Sequence, residues 1–297
     1  MGLRDALRAG EFVVTAELGP PRDPDGGPLR ETARRLAPIV HAANVTDNQA
    51  ATVRLSPLAC AGWMIEEGLE PIVQLTTRDR NLLALQADLL GAWALGVRSV
   101  LALTGDPLSV GPYGGLTKPN SDLDSVGLLR LVANMNRGLL AAGEKLSIPT
   151  DFLAMAAANP QLDTVERLER KLAAGARCLQ TNIVYDVGRF AEWLGPIVKA
   201  GVAERAALIV GVMPPRSTSM LRHMHDHIPG IEVDAATFAR MSGLEGADAR
   251  AAGVEIAVAV VERLRELPAV AGVHIMAPGW EADAVALVVA GAGLSTT

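Results

Sequence analysis

The chain has 297 residues, 49% of them hydrophobic but only 3% aromatic, so its core must be built from aliphatic side chains. A net charge of −6 with no block of Lys and Arg argues against a nucleic-acid or anionic-membrane surface, and the scarcity of aromatics against a stacking platform for single strands. The two cysteines, Cys60 and Cys178, are isolated, so no zinc-finger or iron–sulfur ligand set is present and a reduced, cytoplasmic protein is expected.

Met1 to Gly10 carries Arg4, Asp5 and Arg8 and lacks the apolar stretch of a signal peptide. Phe12 to Leu18 is a β-type run closed by Gly19-Pro20-Pro21. Helical periodicity runs from Leu29 to Val40, and Ala43 to Thr46 is a second short strand. Pro57 to Gly68 has proline at its start and glycine at its end, the asymmetry of a helix. Pro71 to Thr76 is a third strand. Asn81 to Leu95 is a helix stopped by Gly96, with Asp79 as its candidate cap.

Ser99 to Gly105 is the fourth strand. It is hydrophobic almost throughout, as strands buried on both faces are, and it stops at Thr104-Gly105-Asp106. A polar loop from Asp106 to Asp122 follows, long enough to suggest function. A helix is expected from Asp124 to Arg137. Phe152 to Ala158 is the fifth strand, and Asp163 to Ala174 a helix. Cys178 to Tyr185 is the sixth strand, followed by a helix carrying Phe190 and Trp193. Ala207 to Met213 is the seventh strand, helical patterns fill 217–227 and 234–266, and Val273 to Ala277 is the eighth strand. Ala282 to Ala290 is the last helix. The apolar stretch from Ala284 to Leu294 is too short to cross a bilayer.

Eight strand-then-helix units, most spaced by roughly 30 residues, predict an α/β fold of the (β/α)8 TIM-barrel type, one domain over residues 1–297. The rival, a doubly wound open sheet, would more often carry a glycine-rich turn after its first strand. Here that turn is Gly-Pro-Pro-Arg, and proline lacks the N–H that would cradle a pyrophosphate.

In a barrel, polar residues at strand C-termini are the candidates for chemistry. They are Glu17, Thr46, Asp47, Asn48, Gln74, Thr76, Thr104, Asp106, Asn159, Asn182, Tyr185 and Asp186. There is no G-x-S-x-G elbow, no HExxH and no carboxylate cluster for a metal. His274, inside a strand, reads as a core residue. What remains is a pair of acids, Glu17 and Asp106, among amides and hydroxyls. An apolar setting would let Glu17 keep a proton and act as a general acid; the competing reading pairs it with Arg22. Asp106 either serves the site or caps its turn. Arg167, Arg170 and Lys171 share one helical face, which is either a solvated surface or a grip for phosphates.

Eight short stretches then occur in one order along the chain: ELGPPR (17–22), NVTDNQ (44–49), QLTTRDRN (74–81), LTGD (103–106), RKLAAG (170–175), QTNIVYD (180–186), GVMP (211–214) and VHIMA (273–277). Together they resemble the methylenetetrahydrofolate reductase family, in the branch seen in acetogens and in homocysteine methyltransferase fusions. The resemblance implies a barrel that binds FAD non-covalently at its strand ends. NADH or NADPH reduces the flavin, and 5,10-methylenetetrahydrofolate then receives the hydride and becomes 5-methyltetrahydrofolate.

By the same resemblance, Glu17 protonates the folate N10 and Asp106 stabilises the cation that results. Thr46, Asp47, Gln74, Thr104, Gly105, Asp106 and Asn159 border the cofactor, and Arg167, Arg170 and Lys171 reach its phosphate and adenosine end. Glu17, Asp106 and Asn182 meet the folate. No metal, nucleic acid or membrane is implied; a homo-oligomer is expected, and some members act with a partner subunit. Three positions depart from the family pattern. Asn182 stands where glutamine is usual, Gly279-Trp280 where relatives place an arginine, and Gln74 where some members have histidine. Two other readings remain open: a flavin-free pterin-binding barrel that passes methyl groups to a corrinoid, and a non-catalytic subunit docking a redox partner.

Overall fold

In the computed structural model the eight apolar runs are the strands of a closed parallel barrel. The strands are β1 (Val13–Leu18), β2 (Ala42–Val45), β3 (Pro71–Thr76), β4 (Ser99–Leu103), β5 (Leu153–Ala158), β6 (Cys178–Ile183), β7 (Ala207–Val212) and β8 (Gly272–Ile275). Each pairs with the next, and β8 closes on β1. The structure describes residues 1–295; Thr296 and Thr297, the end of the expected domain, lie outside it.

Twelve helices are described. They are α1 (Leu3–Ala9), α2 (Gly27–Leu36), α3 (Pro57–Glu66), α4 (Leu82–Leu95), α5 (Ser125–Asn136), α6 (Val165–Ala173), α7 (Val187–Lys199), α8 (Val202–Arg205), α9 (Thr218–His227), α10 (Ala235–Met241), α11 (Gly246–Arg265) and α12 (Glu281–Gly291). The fold is a (β/α)8 barrel, as the spacing of apolar runs predicts. None of the described helices is long and apolar enough to cross a membrane.

Strand residues alternate between two hydrophobic environments, which is why the runs read as continuously apolar. Val14, Ala16, Val45, Val73, Val100, Val210 and Val273 pack outward with the helices in one large cluster. Val13, Ala42, Ile72, Leu101, Met155, Cys178 and Ile209 form a separate cluster. Leu3 and Ala6 of α1 belong to that second cluster, so α1 packs on the barrel interior from its N-terminal end. Arg4 anchors α1 by an ion pair of 2.5 Å to Asp151.

Local chemistry sets the helix boundaries and corrects several expectations. The cap of α4 is Asn81, whose side chain accepts the Ala84 N–H, and not Asp79, which is held by Arg78. The pattern over 234–266 is two helices, broken where Gly243 turns with φ +76°. The helix expected over 29–40 starts at Gly27 and ends at Leu36, just before Pro38. The loop after β4 holds a single 3-10 turn, Leu108–Val110. Its Gly111 sits so close to the loop after β2 that an added Cβ would lie 2.3 Å from the Ala51 carbonyl oxygen.

Candidate active site at the C-terminal mouth of the barrel

Above the apolar floor, the inward positions turn polar. Thr15, Asn44, Gln74, Gln180 and His274 are all buried. Asn44 Nδ2 donates to Gln180 Oε1 at 3.2 Å, linking β2 to β6. At the strand ends a cavity of about 520 Å³ opens, and both Glu17 and Asp106 line it. The space between their strands is a cavity and not packed aliphatics.

Glu17 is the inward residue at the end of β1, with a side chain 13% exposed. Its Oε2 accepts the Gln74 Nε2–H at 3.3 Å and lies 3.8 Å from His274 Nε2. Its neighbours are therefore an amide and an imidazole. This replaces both the purely apolar setting and the Arg22 pairing that the sequence suggests. His274 is a core residue, fully buried, yet its ring is turned towards the acid.

Asp106 reaches across to another loop instead of capping its own turn. Its Oδ2 accepts the Ala50 N–H from the loop after β2 at 2.7 Å. Arg78 braces the same region, donating to the Asp106 carbonyl at 3.0 Å and to the Asn48 carbonyl at 3.3 Å. Hydrogen bonds from Arg78 hold the Asp79 carboxyl below the usual carboxylate range. Gly105 turns between them at φ +90°, where a Cβ would meet Arg78 Cβ at 3.1 Å and Thr76 Cβ at 3.2 Å. Glycine is the residue this crowded, left-handed position admits. Thr104 Oγ1 accepts the Ser125 N–H at 3.3 Å, tying the mouth to α5.

Asp47 lines the cavity, but its carboxylate is already engaged. It accepts from Thr76 N and Oγ1, each at 2.8 Å, and from Arg80 at 2.6 Å. Burial alone would lower the Arg80 pKa; the charges of Asp47 and Asp88 and the bonds to them outweigh it and raise the value. The pair is a strut that fixes the ends of β2 and β3. Thr46 falls in an adjoining cavity of about 290 Å³, which shares Glu17 and Gln49 with the larger one and includes Gly279.

The opposite wall carries the amides. Asn159 Oδ1 accepts the Gln161 N–H at 3.0 Å. Asn182 Nδ2 donates to the Gly230 carbonyl, while its Oδ1 is buried without a partner. Of the basic trio, Lys171 reaches the cavity and bonds Asp163 at 2.7 Å and the Ala157 carbonyl at 2.8 Å. Arg167 stays at the rim on the Leu162 carbonyl at 3.1 Å. Arg170 is exposed and does not line the cavity, although it shares their helix. One periodic face thus splits three ways. Leu103, Ala157, Ala158 and Met276 complete the wall. Apolar walls between polar strand ends fit a planar heterocycle, and the lysine at one end is paired with Asp163.

The family model described as methylenetetrahydrofolate reductase matches residues 2–290. The chain belongs to the methylenetetrahydrofolate reductase family. No curated protein matches the chain in sequence. Among solved structures, it resembles an uncharacterised protein from Clostridium thermocellum that binds two copies of 5-methyl-5,6,7,8-tetrahydrofolic acid. That alignment has a TM-score of 0.68 at 14% identity and covers 98% of this chain and 97% of that one. At that identity the likeness shows the fold alone. Tryptophan synthase from M. tuberculosis in its aminoacrylate-bound form aligns with a TM-score of 0.44 at 14% identity, over 86% of this chain and 95% of that one.

Within this reductase-family barrel, sequence reasoning missed Thr15, Asn44 and Gln180, and it placed His274 in the core without a partner. All four share the inward parity of Glu17 and Gln74 on their strands. A polar residue at alternate positions of an otherwise apolar strand was the available signal. Gln180 and Asn182 both line the cavity, although β6 shifts register against β7 between Gln180 and Ile183, so this site has a second amide on β6.

Proposed function

We propose that the protein reduces 5,10-methylenetetrahydrofolate to 5-methyltetrahydrofolate with FAD, taking its hydride from NADH or NADPH. The observation that carries this reading is the single cavity lined by Glu17 and Asp106 from distant strands. Flavin, when bound, supplies the hydride. Gln74, Thr104, Gly105 and Asn159 line the cavity and would border its ring and ribityl chain, with Thr46 and Asp47 shaping the β2 side. Lys171, at the cavity wall, would hold its phosphates, with Arg167 and Arg170 adding charge from outside the cavity.

Glu17 gives its proton to N10 of the folate. The bond from N10 to the bridging carbon then breaks with its electron pair left on N10, the N5 lone pair makes that carbon an iminium, and the carbon accepts the hydride to become the methyl group. The Asp106 carboxylate, on the wall of the same cavity, would stabilise that positive charge. Asn182 lines the same cavity and would meet the pterin there. The folate bound by the Clostridium thermocellum protein supports the substrate class.

The test is spectroscopic. The purified chain takes up FAD, NADH bleaches the flavin and methylenetetrahydrofolate restores its colour. Glu17→Gln keeps the bleaching and slows the restoration by about a hundredfold or more. A protein that takes up no FAD overturns the reading. Loss of both steps in Glu17→Gln makes Glu17 structural. A flavin-free folate barrel is the second reading, favoured by the internal pairing of Lys171 with Asp163. Folate binding by a colourless chain would establish it.

A further inference from the structure

Helices of the outer ring turn one apolar stripe to the strands and charge to solvent. α2 does so with Glu31, Arg34 and Arg35, and α6 with Glu166, Arg167 and Arg170. α4 does not. It carries one charge among 14 residues. That residue, Asp88, is turned to Arg80 at 2.7 Å. Its other polar side chain, Gln86, is spent on the Leu82 carbonyl at 3.1 Å and the Ala141 N–H at 2.8 Å. Leu85, Leu89 and Ala92 are buried against the barrel. The opposite side is Leu83, Ala87, Leu90 and Ala94, all exposed, Leu83 by 76%. A helix that is apolar all round is one that is covered all round, and an apolar face without charge marks a contact surface.

We propose that this face of α4 is the contact of a twofold-symmetric homodimer, in which two copies of the helix pack antiparallel. The spacing of the stripe names the occupant. Its positions advance by four, three and four residues, the narrow seam of a coiled coil, and large and small side chains alternate along it. With the twofold axis between Ala87 and Leu90, Leu83 meets the partner's Ala94 and Leu90 meets the partner's Ala87. Each leucine then enters the gap above an alanine, so the face is complementary to itself. A charged partner would find nothing on it to pair with. The area agrees. The outward half of a cylinder about 21 Å long and 10–12 Å across is roughly 350 Å², so two copies cover roughly 700 Å² through α4 alone. Leu95, 48% exposed, and the Ala141–Ala142 turn, held alongside by Gln86, extend the contact towards the roughly 1,000 Å² of a specific interface. That is the small class of interface, so the dimer forms and parts reversibly.

Sedimentation velocity on the full chain, from about 1 to about 100 µM, tests it. The expected result is a reversible monomer–dimer equilibrium within that range. Leu83→Glu and Leu90→Glu each place a charge at a position that faces solvent in the monomer, so the circular dichroism and melting of the monomer stay as they are. Twofold symmetry brings each charge into the contact twice, and each variant should weaken the dimer by about a hundredfold or more. Cysteines read the register, because Cys60 and Cys178 are buried. Mild oxidation of a mixture of Leu83→Cys and Ala94→Cys chains should crosslink one variant to the other, and neither to itself. A wild-type chain that stays monomeric at about 100 µM, a dimer indifferent to both glutamates, or crosslinks that form as readily within each variant as between the two overturns the proposal. The stripe does not line the cavity of Glu17 and Asp106, so each of these outcomes leaves the reductase reading where it stands.

Discussion

One carboxylate oxygen of Asp106 accepts a backbone N–H, so charge and geometry can be separated at this residue. Asp106→Asn keeps an acceptor for Ala50 and removes the negative charge. The folate half-reaction should slow by about ten- to a hundredfold while FAD binding is retained, as transient kinetics and a flavin titration would show. Unchanged rates would assign Asp106 to the loop alone. The cysteines take no part in this chemistry. Burial pushes the Cys60 thiol up to about 11 and the Cys178 thiol up to about 12, so neither is a ready nucleophile. Glu17 and Asp106 were legible because each ends an apolar run. The partners of Glu17 were not, because Gln74 and His274 come from strands far away in sequence.

The loop joining β2 to α3 carries the strain of the molecule. Asn48, Ala50 and Ala51 have φ of +45°, +54° and +49°, and they are the non-glycine residues with positive φ among those described. Alanine gains nothing locally from the left-handed region. Three contacts hold the loop there: Asp106 on the Ala50 N–H, Arg78 on the Asn48 carbonyl, and the packing of Gly111 against Ala50 and Ala51. Ala50→Gly should therefore raise stability by about 0.5–1 kcal/mol in denaturant melts. Gly105→Ala should lower it by more, because a Cβ there meets Arg78 at 3.1 Å with φ at +90°. Equal stabilities would mean that the loop is not strained. The sequence marked 106–122 as a functional loop, but its docking on the shorter loop of β2 is a long-range contact that no local pattern encodes.

At the scale of the whole barrel, the underside is a structural end. Helix C-termini gather there, and arginines answer their exposed carbonyls. Arg98 donates to Trp93 and Val97, Arg177 to Leu172 and Ala176, Arg205 to Ala200 and Gly201, and Arg265 to Ala292. Glu70 closes the same end, accepting the Leu3 N–H of α1 at 3.0 Å. Burial raises its pKa above the ordinary 4.5. A raised carboxyl contributes stability below its unfolded value and loses it as pH rises through the folded one. Glu70→Gln and wild type should thus unfold at similar denaturant concentrations near about pH 4, with the variant more stable near about pH 7. A gap independent of pH would remove Glu70 from the account.

Taken alone, the amino-acid order determined the eightfold alternation, the parallel barrel and the end of it that carries polar residues. Those follow from local periodicity and from proline and glycine at element ends. The ordered short stretches also carried the family. The tertiary structure decided which polar groups meet. Closure of β8 on β1 brings His274 to Glu17, docking of two loops brings Asp106 to Ala50, and the placement of α6 takes Lys171 inward and leaves Arg170 in solvent. Such meetings depend on how distant strands come into register. That is a property of the closed sheet and of no single segment.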